Sequence, residues 1–243
     1  MIVTNDVLDE YRSSCSSVAM NLQPSVSRRA RPAKAPLSRE AIVAAALAIL
    51  EQDGIGGLSL RRVAAALDTG PASLYVYFAN LGDLHAEMLD TALREVELPH
   101  SSRASWRKRL KALLISYMLV LYNRPGLAKL ALSQIVCGPT SLRIAETILA
   151  LLMEGGVGEK GAALAVDLLT LYATAIAAEQ SLRRDKERDF NRAKKALAEL
   201  SATEFPLLSS AVDHLLSGTG EARFLWAIDV MLDGVLSAPL PDR

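Results

Sequence analysis

The chain has 243 residues, 51% of them apolar and 22% charged, with 27 basic side chains against 27 acidic ones and a formal net charge of zero. That length allows one large domain or a small one joined to a larger one, with enough apolar surface for a sizeable core. The charge balance excludes a whole-molecule preference for nucleic acid, so any such affinity must come from locally concentrated cations.

Aromatic residues make up only 5%, while alanine and leucine recur throughout, which favours packed helices over sheets. Cys15 and Cys137 have neither metal-ligand spacing nor a disulfide framework, so no metal and no cofactor is expected. No uninterrupted apolar span reads as a signal peptide or membrane helix, and a reducing cytoplasm away from membranes is the expected setting.

Residues 1–36 read as a flexible extension in which no apolar period persists. Within it SRRARPAK (27–34) is a basic arm carrying Arg28, Arg29, Arg31 and Lys34. It is either a solvated tail or an arm that contacts phosphates or the minor groove. From Arg28 to Asn80 there are seven basic residues against four acidic ones, a local excess of three. Ser38 then caps a helix, with Leu37 stapled onto Ile42 and apolar positions at Ala46, Leu47 and Leu50 before Gly54 ends it.

The stretch LSLRRVAAALDTGPASLYVYF (58–78) has the spacing of a helix-turn-helix. Ser59 caps its first helix, and Leu60, Val63, Ala64 and Leu67 face inward. Ala64 gives the small contact that two crossing helices need. Asp68 falls where the chain must turn, and it tolerates the left-handed conformation. Pro71 suits the first position of a second helix, which buries Leu74 and Phe78 and leaves Thr69, Gly70, Ala72, Ser73, Tyr75 and Tyr77 outside. Such a small, hydroxyl-rich face can enter a major groove. Asn80 caps a fourth helix that runs to a stop near Pro99, and residues 37–98 make one helix-turn-helix unit.

Residues 99–243 read as a larger helical domain. Helices are expected over 103–123, from Pro125 toward Cys137, from Pro139 to Gly155, from Glu159 to Arg184 as the longest, and from Thr219 onward. The run RRDKERD (183–189) reads as a solvated helix end, and 207–217 as one or two further turns. The expected fold is therefore all-α, with an N-terminal domain of three to four helices joined to a larger helical ligand-binding and dimerisation domain. An enzyme has little support, since His85, His100 and His214 are isolated and no P-loop, H-E-x-x-H or nucleophile-elbow spacing occurs.

Four spaced blocks, LSREAIVAAALAILEQDG, LSLRRVAAAL, P-x-x-LY-x-YF and N-x-x-DL, follow one another in a single order. By them residues 38–98 resemble the DNA-binding domain of the tetracycline-repressor (TetR) family. The chain departs from that pattern at Asp68, Val76 and Leu81, where family members commonly carry glycine, a polar or basic residue, and lysine. The resemblance implies that Thr69, Gly70, Ala72 and Ser73 face base edges. It implies that Ser59, Arg61, Tyr75 and Tyr77 contact phosphates, with ring packing as the alternative for Tyr75.

The resemblance further implies an effector site lined by Tyr117, Met118, Tyr122, Met153, Tyr172 and Ile176, each of which has plain core as its alternative. It implies a homodimer built from 160–182 and 220–237, with Leu168, Phe224, Ile228, Met231 and Val235 at the interface, or else buried within one subunit. The implied function is a ligand-responsive repressor that binds a pseudo-palindromic double-stranded DNA operator as a dimer and is released by a small apolar effector. The competing reading is a helical adaptor that binds protein and not DNA; the basic arm and the hydroxyl-rich helix face speak against it.

Overall fold

The structure, a computed structural model, describes residues 36–100, 103–134, 137–182 and 186–241. Among them are eleven α-helices, two 3-10 turns and no strand. The first four helices form the head: α1 (Arg39–Asp53), α2 (Leu60–Ala66), α3 (Pro71–Leu74) and α4 (Leu81–Ala92). Their starts are specified locally. The side chains of Ser38, Ser59 and Asn80 accept hydrogen bonds from the amides of Ala41, Arg62 and Asp83, and Pro71 opens α3.

Between α2 and α3 the chain reverses through Asp68, whose φ of 51° is left-handed as expected from its position in the sequence. The amide of Thr69 closes the turn on the carbonyl of Ala64 at 2.9 Å. Ile42, Ala46, Val63, Ala64, Leu74, Phe78, Leu84 and Met88 are all buried together. Each large one contributes about 1.5–3 kcal/mol by leaving water.

A 3-10 turn at Leu93–Glu95 ends α4 and leads into the body. The body comprises α5 (Trp106–Tyr122), α6 (Pro125–Ala131), α7 (Pro139–Glu154), α8 (Glu159–Leu182), α9 (Lys186–Ala198), α10 (Pro206–Leu216) and α11 (Gly220–Ser237). The 24-residue α8 is its axis, packed against α5, α6, α7 and α11. By length and composition Glu159–Ser181 is apolar enough to cross a membrane, with a mean hydropathy of 1.7, contrary to the sequence reading. Half of that window is buried inside the chain, as in the core helix of a folded domain.

Helices α9 and α10 pack on each other, and α10 is a full helix of 11 residues where the sequence suggested a turn or two. It has no buried residue.

Candidate DNA-reading head and ligand cavity

On the outer side of the head, Gly70, Ala72 and Tyr75 are exposed and Thr69 and Ser73 half-buried, forming one small, polar surface around α3. Tyr75 is 57% exposed, and Val76 beside it is 83% exposed. Arg61 is exposed at the start of α2. The Ser59 oxygen accepts from the Arg62 amide as the cap of α2, which leaves its hydroxyl proton to be donated elsewhere. Arg28, Arg29, Arg31 and Lys34 lie outside the described residues.

The Tyr77 hydroxyl has a partner within the head. It donates to the carbonyl of Leu37 at 2.6 Å, and a phosphate, which only accepts, would need that same proton. The tyrosine instead ties the end of the helix-turn-helix to the start of α1. Arg39 closes the same corner: its guanidinium donates to the Tyr77 carbonyl, pairs with Glu87 at 3.0 Å and lies 4.4 Å from the centre of the Phe78 ring. Sequence periodicity gives no sign of this clamp, because its partners lie 38 to 48 residues apart. Arg62 is likewise engaged within the head, with Asp53 at 2.5 Å.

In the body a cavity of about 380 Å³ opens between α5, α7 and α8. Leu93, Ile144, Val166 and Leu171 supply apolar walls, and Tyr117, Gln134, Ser141, Asp167, Thr170 and Thr174 supply polar groups. The Tyr117 hydroxyl is hydrogen-bonded to that of Thr174 at 3.0 Å, and burial pushes the phenol pKa up, so it stays neutral. Asp167 is the only charged side chain among these lining residues. Among the described residues, no group of three His, Cys, Asp or Glu is placed to hold a metal ion.

Of the six residues expected around an effector, Tyr117 lines this cavity and the other five do not. Tyr172 stacks on Phe224 with ring centroids 5.5 Å apart, and Ile176 is buried in the core. Met118 and Tyr122 pack against that core, whereas Met153 is 49% exposed near the end of α7. The reason is helical phase. Thr170 and Thr174 share one side of α8, while Tyr172 and Ile176 point to the opposite side.

The residues expected at a dimer interface divide between core and surface. Phe224 and Ile228 are 2% and 0% exposed within the single chain, so a partner has nothing left to cover there. Leu168 remains open, with Met231 and Val235 half-buried beside it. These three line a groove of about 300 Å³ between α8 and α11. Leu164 lines the same groove, and Leu171, Trp226 and Val230 are exposed elsewhere on the two helices, so both carry exposed apolar residues.

Head and body meet along a defined seam. Arg124 pairs with Glu95 at 2.6 Å and reaches Glu51 of α1 at 3.8 Å. Gly126 lets α6 approach α1 so closely that a Cβ there would lie 2.4 Å from a Leu50 methyl. Asp90 of α4 is buried and accepts hydrogen bonds from the amides of Thr140 and Ser141 and from the Ser141 hydroxyl. Burial alone would raise its pKa, but these bonds together outweigh it and hold the carboxyl below the ordinary aspartate value.

A helix-turn-helix head seamed to a helical body with a ligand-sized cavity defines a DNA-binding regulator. Comparison with known proteins agrees. Residues 42–88 match the family described as bacterial regulatory proteins, tetR family, and residues 98–238 match the tetracyclin repressor-like C-terminal domain. The HTH-type transcriptional repressor DrrR1 of Streptomyces coeruleorubidus is 29% identical over 84% of this chain and 80% of its own. An HTH-type transcriptional regulator of Saccharopolyspora erythraea is 30% identical over 74% of this chain and 75% of its own. The crystal structure of ActR, a TetR family protein of Streptomyces coelicolor, in complex with actinorhodin superposes with a TM-score of 0.77 at 33% identity, over 84% of this chain and 98% of that one.

The chain belongs to the TetR family of transcriptional regulators. As a member it is a DNA-binding repressor with a ligand-binding domain, and not an enzyme.

Proposed function

We propose that the protein is a cytoplasmic, homodimeric repressor that binds a pseudo-palindromic operator and leaves it when a small effector fills the cavity between α5, α7 and α8. The observation that carries this reading is the position of Leu93. It follows directly on the last helix of the head and also forms part of the cavity wall, so an occupant touches the chain where the head is held. The apolar walls and the Tyr117, Thr170 and Thr174 hydroxyls suit a largely apolar molecule with a few hydrogen-bonding groups. That ActR binds actinorhodin in a related fold supports an effector in the body.

Reading would rest on Thr69, Gly70, Ala72 and Ser73 at base edges, with Ser59, Arg61 and Tyr75 on phosphates and the basic arm adding charge. With no long polar side chain on that surface, methyl contacts, backbone and DNA shape carry the readout. The dimer would pair the exposed apolar residues of α8 and α11, Leu164, Leu168, Leu171, Trp226 and Val230, with those of a second copy as a four-helix bundle. Two heads on such a dimer meet half-sites about 34–36 Å apart or a multiple of it.

The test is binding of the full chain to the intergenic DNA upstream of its own gene, measured against random duplex across salt concentrations. Specific affinity should exceed non-specific affinity by about 10³-fold or more. Equal affinities would refute the operator reading and favour an adaptor that binds protein.

A further inference from the structure

Asp90 is a carboxylate in a place where neither reading DNA nor holding a ligand calls for one. It is 2% exposed, on a helix whose other buried positions are apolar. Its Oδ1 accepts from the Ser141 amide and hydroxyl, both at 2.9 Å, and its Oδ2 accepts from the Thr140 amide at 3.2 Å. Those amides are orphan donors in the first turn of the 16-residue α7, whose own cap position is Gly138, with no side chain to serve. A Cβ on Gly138 would lie 2.2 Å from the Asp90 carboxyl carbon, so the approach requires glycine. The start of α7 is therefore capped by a residue 50 positions earlier, on the last helix of the head.

The cap also reaches the cavity. Ser141, which gives Asp90 two of its three hydrogen bonds, lines the cavity, and so does Leu93, one turn beyond Asp90. We propose that Asp90 is the positioning residue that couples the cavity to the reading head, bolting the first turn of α7 to α4. An occupant that displaces Ser141 then moves α4, and with it α1 to α3. For the identity of the occupant this rests on the effector reading above; the mechanical link itself does not.

The experiment compares the full-length wild type with Asp90→Asn, Ser141→Ala and Ile148→Val. Ile148, buried about two turns along α7 from Ser141 and making no hydrogen bond to α4, serves as a stability control. Hydrogen exchange is followed across 60–78, 81–92 and 139–154 with neither DNA nor ligand present, and affinity for the upstream DNA is measured in parallel. Asp90→Asn should speed exchange in 81–92 and 60–78 as well as at the start of α7, and weaken DNA binding about tenfold. Ser141→Ala, which removes one donor, should do the same to a smaller degree; it decides the matter if Asp90→Asn does not fold.

Ile148→Val should lower Tm yet leave exchange in the head unchanged and DNA affinity within about twofold. Faster exchange confined to 139–154 in Asp90→Asn and Ser141→Ala, or head exchange equal to that of Ile148→Val, overturns the proposal. A wild type that does not distinguish its upstream DNA refutes the operator reading alone, because the exchange comparison needs no DNA.

Discussion

Tyr77 and Asp90 are polar residues whose roles come from partners distant in sequence. The Tyr77 hydroxyl, outward by helical phase, finds the Leu37 carbonyl because α1 crosses beside it. Tyr77→Phe should therefore cost about 1 kcal/mol of stability, the usual net value of such a bond, read as a lower urea midpoint at unchanged m-value. An unchanged midpoint would return that hydroxyl to the DNA-facing surface. Asp90 makes stability depend on pH. Its folded-state pKa lies below the ordinary value of 3.8, so the unfolded chain binds the proton more readily. Its contribution is fully present above that value and disappears as pH falls through the lower folded one. The stability gap between wild type and Asp90→Asn should thus stay constant from about pH 6 to 8 and narrow below about pH 4.

At the scale of elements, helix starts were legible because capping is local. Ser38, Ser59, Asn80 and Thr219 each accept from an amide three residues on, a pattern visible in the chain itself. The sides to which helices turn their residues were fully legible only in the head. There α1 to α4 surround a single small core, so one apolar stripe per helix settles the packing. Helix α8 touches four neighbours and is apolar nearly all round, and periodicity does not say which stripe meets α11 and which meets the cavity. For that reason core and site both stand open for Tyr172 in the sequence, and core and interface for Phe224. The approach of α6 to α1 offers a direct test. Gly126→Ala would put a methyl 2.4 to 2.7 Å from Leu50 side-chain carbons that are themselves buried. A loss of about 1–3 kcal/mol is expected by chemical denaturation, with the head displaced relative to the body.

At the scale of the molecule, the proposed assembly rests on the exposed apolar residues of α8 and α11, and the proposed approach to DNA on the basic arm. Trp226 is 68% exposed in one chain, more than a solitary protein would ordinarily leave of so large a ring. Trp226→Lys should convert the proposed dimer to monomers by light scattering with the helical circular dichroism retained; a persistent dimer would place the interface elsewhere. Because net charge is zero, DNA affinity should depend on few cations. Replacing Arg28, Arg29, Arg31 and Lys34 together by alanine should flatten the plot of log affinity against log salt by up to about 0.9 for each phosphate no longer neutralised. An unchanged slope would make the arm a solvated tail.

The sequence by itself determined the helix-turn-helix, its caps, the left-handed turn at Asp68 and the division into a reading head and a helical body. All of these follow from interactions within a few residues or from one repeated apolar stripe. Only the tertiary structure decided that Tyr77 and Arg39 clamp the head, that Phe224 and Ile228 belong to the protomer core, and that Thr170, Thr174 and Ser141 face the cavity. The same is true of Asp90, which in the sequence is one acidic residue on a helix and in the fold is the cap of another helix 50 residues away. Each of these roles depends on which helices become neighbours, and packing chooses neighbours by shape across the whole chain.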